Sequence, residues 1–131
     1  MAKIIHAMIR VLDLEVSKSF YYKTFELVPD YELDFESFAL VYLRNKENDM
    51  EIELTLNKGE TTPYTHGTGY GHIAVCVDDL EAEHSRFTDL DIKPTDIVAF
   101  APDNNLIARF FFITDPDGYK IEVLQRHGHY Q

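Results

Sequence analysis

The stretch TGYGHIAVCVDDLE, residues 68–81, decides the fold because it contains a strand, an acidic turn and the start of a helix. His72 follows two nearby glycines and opens a run of Ile, Val and Ala residues that is typical of a strand. The stretch KIIHAMIRVLDLE, residues 3–15, has the same order around His6. A histidine at the same place in two similar stretches indicates an internal repeat.

Each half of the chain continues from its histidine strand through a helix to further strands, the last of which carries a glutamate. The pattern predicts an α+β fold of two βαβββ repeats that form curled half-barrels. We place repeat one at residues 1–57 and repeat two at 71–126. Residues 58–70, rich in Gly and Thr, form the predicted linker, and DPDG at 115–118 predicts a turn between two strands.

Alternation of side chains along a strand places polar and apolar residues on opposite faces of each predicted sheet. The polar faces carry His6 and Glu53 in the first repeat, and His72 and Glu122 in the second. If each half-sheet curls, its first and last strands bring one histidine close to one glutamate. Taken singly, such residues are ordinary for a half-exposed strand. Four of them in matching positions favour a site for a divalent first-row metal ion.

The composition fits one compact domain with a hydrophobic core. The chain has 131 residues, of which 45% are hydrophobic, and a formal net charge of −11. This charge argues against a nucleic-acid partner, which requires clustered Lys and Arg. The single cysteine, Cys76, excludes an intramolecular disulfide and suits a reducing compartment. Because no apolar stretch has membrane-spanning length, we expect a cytoplasmic protein without membrane partners.

Four segments together resemble glyoxalase I of the vicinal-oxygen-chelate superfamily: HAMIRVLDLEVSKSFY, IELTLNKG, YGHIAVCVDDLE and DPDGYKIEVL. They occur in the family's order and the resemblance covers nearly the whole chain. It implies that a divalent metal, with Ni²⁺ or Co²⁺ favoured and Zn²⁺ as second choice, is held by His6, Glu53, His72 and Glu122. It also implies that Arg10 and Asn57 contact the glutathione part of the substrate.

The resemblance implies a reaction and an assembly as well. The family isomerises the hemithioacetal of methylglyoxal and glutathione to S-lactoylglutathione through an ene-diolate. Glu122 is then the expected base, and Glu53 is expected to serve the other face of the substrate. Short members of the family are homodimers in which each site takes one His–Glu pair from each subunit. The residues alone leave open whether the halves pair within one chain or across two.

One segment departs from the family pattern. Residues 98–111, VAFAPDNNLIARFF, contain Asp103 and no lysine, whereas glutathione-using relatives carry a basic, glycine-rich loop there. Arg109 and Lys93 are the candidates to replace that charge. The departure leaves open a different thiol or an epimerase. An extradiol dioxygenase, which needs two His and one carboxylate, and a drug-binding protein of the bleomycin-resistance kind are further alternatives.

Overall fold

The apolar runs that follow His6 and His72 form strands, as predicted, in the computed structural model, which describes residues 1–131. The chain divides into two units, Met1–Thr65 and His66–Gln131, which are called the first and the second module. The first strand begins at His6, whereas His72 lies immediately before its strand rather than inside it.

Each module has the predicted βαβββ order. The first module contains β1 (His6–Val11), α1 (Leu14–Phe25), β2 (Val28–Asp34), β3 (Phe38–Arg44) and β4 (Glu51–Asn57). The second contains β5 (Ile73–Val77), α2 (Leu80–Asp89), β6 (Val98–Phe100), β7 (Ala108–Thr114) and β8 (Lys120–Gln125), with a 3-10 turn at Pro102–Asn104. The α+β fold of two repeated modules is therefore confirmed.

Each module has one mixed four-stranded sheet in which the first and last strands are direct neighbours. The strand orders are β1-β4-β3-β2 and β5-β8-β7-β6. The pairs β1–β4 and β5–β8 are parallel, and the other pairs are antiparallel. Strand adjacency, rather than the curling invoked from the sequence, therefore brings the histidine strand of each module beside its glutamate strand.

Aspartates start both helices. The Asp13 carboxylate accepts hydrogen bonds from the backbone N–H groups of Glu15 and Val16 at the start of α1. Asp79 accepts one from Ala82 at the start of α2. Neither helix has the length and apolar composition needed to cross a membrane.

The core of each module lies on one face of its sheet, because alternate strand residues point to that face. In β3, Ala39, Val41 and Leu43 are buried, whereas the residues between them are only half-buried. The fully buried large side chains of the first module are Val11, Tyr21, Leu43 and Leu54. Those of the second module are Leu80, Phe87, Phe111, Ile113, Ile121 and Val123.

Candidate metal centre

A His–Glu pair lies on the sheet of the first module. The parallel register of β1 and β4 places Met8 opposite Glu53, and His6 is two residues before Met8 on the same side of the strand. The His6 ring reaches the carboxylate, with 2.9 Å between Nε2 and Oε2. The His6 side chain keeps 34% of its surface exposed, whereas the Glu53 side chain keeps 11%. The pair is therefore open to a ligand from the histidine side.

The second module has a His–Glu pair of the same geometry. Ala74 lies opposite Glu122 in the parallel register, and His72 precedes Ala74 by two residues, as His6 precedes Met8. The distance from His72 Nε2 to Glu122 Oε2 is again 2.9 Å. The exposed fractions of these two side chains are 43% and 16%. The repeat therefore extends from the order of elements to the placement of individual atoms.

An aromatic ring from the third strand of each module packs edge-on against the histidine. In the first module, Tyr42 lies 5.4 Å from His6 between ring centroids, with an interplanar angle of 72°. In the second, Phe112 lies 5.4 Å from His72 at 77°. Tyr42 is the register partner of Glu53, and Phe112 is that of Glu122. These rings restrict the orientation of each imidazole.

The donor set fits a divalent first-row metal ion. Each pair offers an imidazole nitrogen and a carboxylate oxygen, the donors that such ions accept. The atoms are close enough to bind one ion together and are partly exposed. Neither module by itself gathers three or more His, Cys, Asp or Glu side chains suited to a metal. Each module therefore brings together one imidazole and one carboxylate.

The two residues expected to contact the substrate lie farther along the same face of the first module. Arg10 lies opposite Thr55 in the β1–β4 register, two residues along the strands from the Met8–Glu53 pair. Asn57 ends β4, and its side-chain amide lies 3.3 Å from the Tyr64 hydroxyl. Both residues are exposed. The structure thus places both residues on the same face of the sheet as the His6–Glu53 pair.

Comparison with known proteins gives the family of this chain. The model of the Glyoxalase/Bleomycin resistance protein/Dioxygenase superfamily matches residues 3–123. The chain belongs to this superfamily. A lactoylglutathione lyase of Haemophilus influenzae is 37% identical over 129 residues, which cover 94% of this chain and 92% of the relative. A lactoylglutathione lyase of Escherichia coli O157:H7 is 32% identical over 130 residues, with coverage of 94% and 92%.

Solved glyoxalase structures have the same fold. The trypanothione-dependent glyoxalase I of Leishmania major superposes with a TM-score of 0.77 at 30% identity, covering 95% of this chain and 87% of that one. Glyoxalase I of Zea mays gives a TM-score of 0.80 at 28% identity and covers 96% of this chain. The match spans 45% of the maize chain, so the present chain covers about half the length of the maize protein.

Residues 98–111, which depart from the glyoxalase pattern, contain one basic side chain, Arg109. The Arg109 guanidinium forms an ion pair with Glu81 of α2. The hydrogen bond from Arg109 lowers the pKa of the Glu81 carboxyl. Asp103 and Lys93 both adopt positive φ in the exposed connections around β6. The basic side chain of residues 98–111 is therefore engaged by Glu81, and the turn in this segment carries an acidic residue.

Two residues that the sequence pattern does not mark, Thr55 and Tyr42, contact Glu53. Thr55 donates a hydrogen bond from Oγ1 to Glu53 Oε1 over 3.3 Å. The Tyr42 hydroxyl also hydrogen-bonds to Glu53; burial, together with this carboxylate, raises the pKa of Tyr42. An alignment of β3 with β7 would show that Tyr42 and Phe112 occupy equivalent positions of the two repeats. The strand register then shows that each of them lies opposite a glutamate.

Proposed function

We propose that this chain is a metal-dependent lactoylglutathione lyase that isomerises the hemithioacetal of methylglyoxal and glutathione. One observation carries the proposal: two His–Glu pairs with the same 2.9 Å separation occur in matching places of a repeated module. Relatives with the name lactoylglutathione lyase match this chain over nearly its full length, which supports the assignment. The activity removes methylglyoxal as a thioester of lactate.

The metal would be held by two imidazoles and two carboxylates, His6, Glu53, His72 and Glu122. When bound, the ion supplies Lewis-acid stabilisation of negative charge on the two vicinal oxygens of the substrate. Ni²⁺ or Co²⁺ is our first choice and Zn²⁺ the second. Because each module contributes two ligands, a complete site needs one His–Glu pair of each kind.

We further propose that the complete site forms in a homodimer. The His6–Glu53 pair of one subunit would then face the His72–Glu122 pair of the other. Two equivalent sites result, since the arrangement is the same when the subunits are exchanged. Gel filtration with light scattering tests this proposal, and a mixed dimer tests it further. Subunits with His6→Ala and subunits with His72→Ala would together regain one intact site.

The residues of the chain have distinct tasks in the reaction. Glu122 takes the proton from C1 of the hemithioacetal and returns it to C2, while the proton of the C1 hydroxyl group passes to the oxygen on C2. C1 then carries the thioester carbonyl, and C2 carries the hydroxyl group. Glu53 serves the opposite face of the substrate. His6 and His72, held against Tyr42 and Phe112, keep their ring nitrogens directed at the site.

Arg10 and Asn57 would orient the glutathione part of the substrate. Both lie on the exposed continuation of the His6–Glu53 face, and the guanidinium and amide groups can bind the carboxylate and peptide groups of the thiol. The chain carries a net charge of −11, so attraction of an anionic thiol depends on such local positive groups. Arg10→Ala is expected to raise KM more than it lowers kcat.

Metal reconstitution tests the proposed function directly. Protein stripped of metal with a chelator is expected to be inactive, and Ni²⁺ is expected to restore thioester formation, followed by ultraviolet absorbance. Absence of activity with Ni²⁺, Co²⁺, Zn²⁺ and Mn²⁺ would overturn the proposal. Loss of activity in His6→Ala and in His72→Ala, with unchanged circular dichroism, would link the activity to both pairs.

The thiol is the part of the substrate for which a second candidate has support. Residues 98–111 contain no lysine, and Arg109 is paired with Glu81. One structural relative is named as trypanothione-dependent, so a glyoxalase I of this fold can use another thiol. Comparing kcat/KM for hemithioacetals of glutathione and of a less anionic thiol decides between them. A preference for glutathione of more than about ten-fold would reject the second candidate.

A further inference from the structure

The two carboxylates of the candidate metal centre have different neighbours at matching positions. In the first module, Tyr42 is the register partner of Glu53, and Thr55 follows Glu53 by two residues on the same strand. In the second module, the corresponding residues are Phe112 and Leu124 beside Glu122. Two hydroxyl groups therefore adjoin one carboxylate, and two hydrocarbon side chains occupy the same positions at the other.

The Glu53 carboxylate is held by three side chains. Thr55 donates to Oε1 over 3.3 Å, and His6 lies 2.9 Å from Oε2. The Tyr42 hydroxyl donates a further hydrogen bond. Glu53 and Thr55 are buried, with 8% and 9% of their surfaces exposed. A buried carboxylate with these donors has few orientations available, because rotation would break several hydrogen bonds in a dry environment.

The Glu122 carboxylate has His72 as its polar neighbour, at 2.9 Å from Oε2. The Phe112 ring and the Leu124 side chain contain no group that can donate a hydrogen bond. Leu124 is buried, with 4% of its surface exposed, so this side of Glu122 is apolar. Rotation of this carboxylate away from His72 would break one side-chain contact, compared with the three that hold Glu53.

We propose that Tyr42 and Thr55 are positioning residues that fix Glu53 as the stationary ligand, and that Phe112 and Leu124 leave Glu122 free to turn towards the substrate. The proposal rests on the proposed function and gives a physical reason for the different tasks of the two glutamates. Partners that hydrogen-bond to a metal-binding side chain orient it and strengthen its binding. The side chain that moves a proton must instead be able to leave its resting contact.

Exchanging the hydroxyl group between the two modules tests the proposal. Tyr42→Phe removes the donor beside Glu53, and Phe112→Tyr places one at the corresponding position beside Glu122. Tyr22→Phe is the matched control, because Tyr22 lies on α1 with 58% of its surface exposed. The dissociation constant for Ni²⁺ is measured by competition with a chromogenic chelator, and kcat is measured at full metal occupancy.

Tyr42→Phe is expected to weaken Ni²⁺ binding by about ten-fold, within the range found when outer partners of metal ligands are removed. Phe112→Tyr is expected to lower kcat by about ten-fold without weakening Ni²⁺ binding, because Glu122 becomes held in the way that Glu53 is. Tyr22→Phe is expected to change neither quantity.

Unchanged Ni²⁺ affinity in Tyr42→Phe together with unchanged kcat in Phe112→Tyr would overturn the proposal. Equal effects of both variants on affinity would overturn it too, since the two carboxylates would then be equivalent. The affinity measurement needs no turnover, which separates this proposal from the proposed function. If the unaltered protein binds Ni²⁺ but isomerises no hemithioacetal, the proposed function fails, while the affinity of Tyr42→Phe still tests the role of Tyr42.

Discussion

Replacing Glu122 with glutamine removes the proposed base while keeping its shape. The side chain is 16% exposed and lies 2.9 Å from His72 Nε2, a contact that the glutamine amide can preserve as a hydrogen bond. We therefore expect the fold to persist and the thermal midpoint to change little. An amide cannot accept a proton from carbon, so the contribution of general-base catalysis, about 100-fold to 10,000-fold in kcat, should be lost. This loss corresponds to about 3 to 5 kcal/mol in the activation barrier.

The assay has to separate this effect from loss of metal, because Glu122 is also a proposed ligand. Activity is therefore compared at a Ni²⁺ concentration that saturates each variant, with bound metal measured in the same samples. Glu53→Gln is the matched variant in the other pair, since Glu53 has the same 2.9 Å contact with a histidine. Glu47→Gln, at an exposed position in the turn before β4, is the control for loss of a carboxylate elsewhere. The reasoning is refuted if metal-saturated Glu122→Gln retains more than about a tenth of kcat, or if Glu53→Gln loses more activity than Glu122→Gln.

Three further predictions concern the scaffold that holds the site. Asp79→Ala should lower the free energy of unfolding, measured by urea titration, by about 1 kcal/mol, because it removes the cap of α2. The control Asp78→Ala removes a surface ion pair and should lower it by at most about 0.5 kcal/mol. Equal effects of the two substitutions would contradict the observed cap. Phe111→Ala should lower the free energy of unfolding by about 3 to 5 kcal/mol, because the ring is fully buried; a loss below about 1 kcal/mol in the same urea titration would contradict its place in the core. Since the Arg109 hydrogen bond lowers the pKa of Glu81 in the folded state, the stabilisation from this pair is present at neutral pH and is lost as the pH falls through that lowered pKa. An NMR titration should therefore find the Glu81 midpoint below the ordinary value for glutamate and should find it restored in Arg109→Gln.

Much of the architecture could be predicted because the same sequence patterns occur in both modules. Apolar runs after His6 and His72, acidic helix starts and the DPDG turn fix the type and order of the elements through local chemistry. The buried face of a helix is harder to predict from the sequence. The buried residues of α1 are Ser17, Tyr21 and Thr24, two of which are polar. Hydrophobicity alone does not mark a buried face that includes a serine and a threonine.

The sequence by itself determined that two histidines and two glutamates occupy matching positions of a repeat, with no cluster of basic residues for a nucleic acid. Only the tertiary structure decided that β1 lies directly beside β4 and β5 beside β8, so that each histidine reaches its glutamate. It also decided that Tyr42 and Phe112 face those glutamates. The physical reason is that alternation along a strand is a local property, whereas strand order and register depend on how distant segments pair.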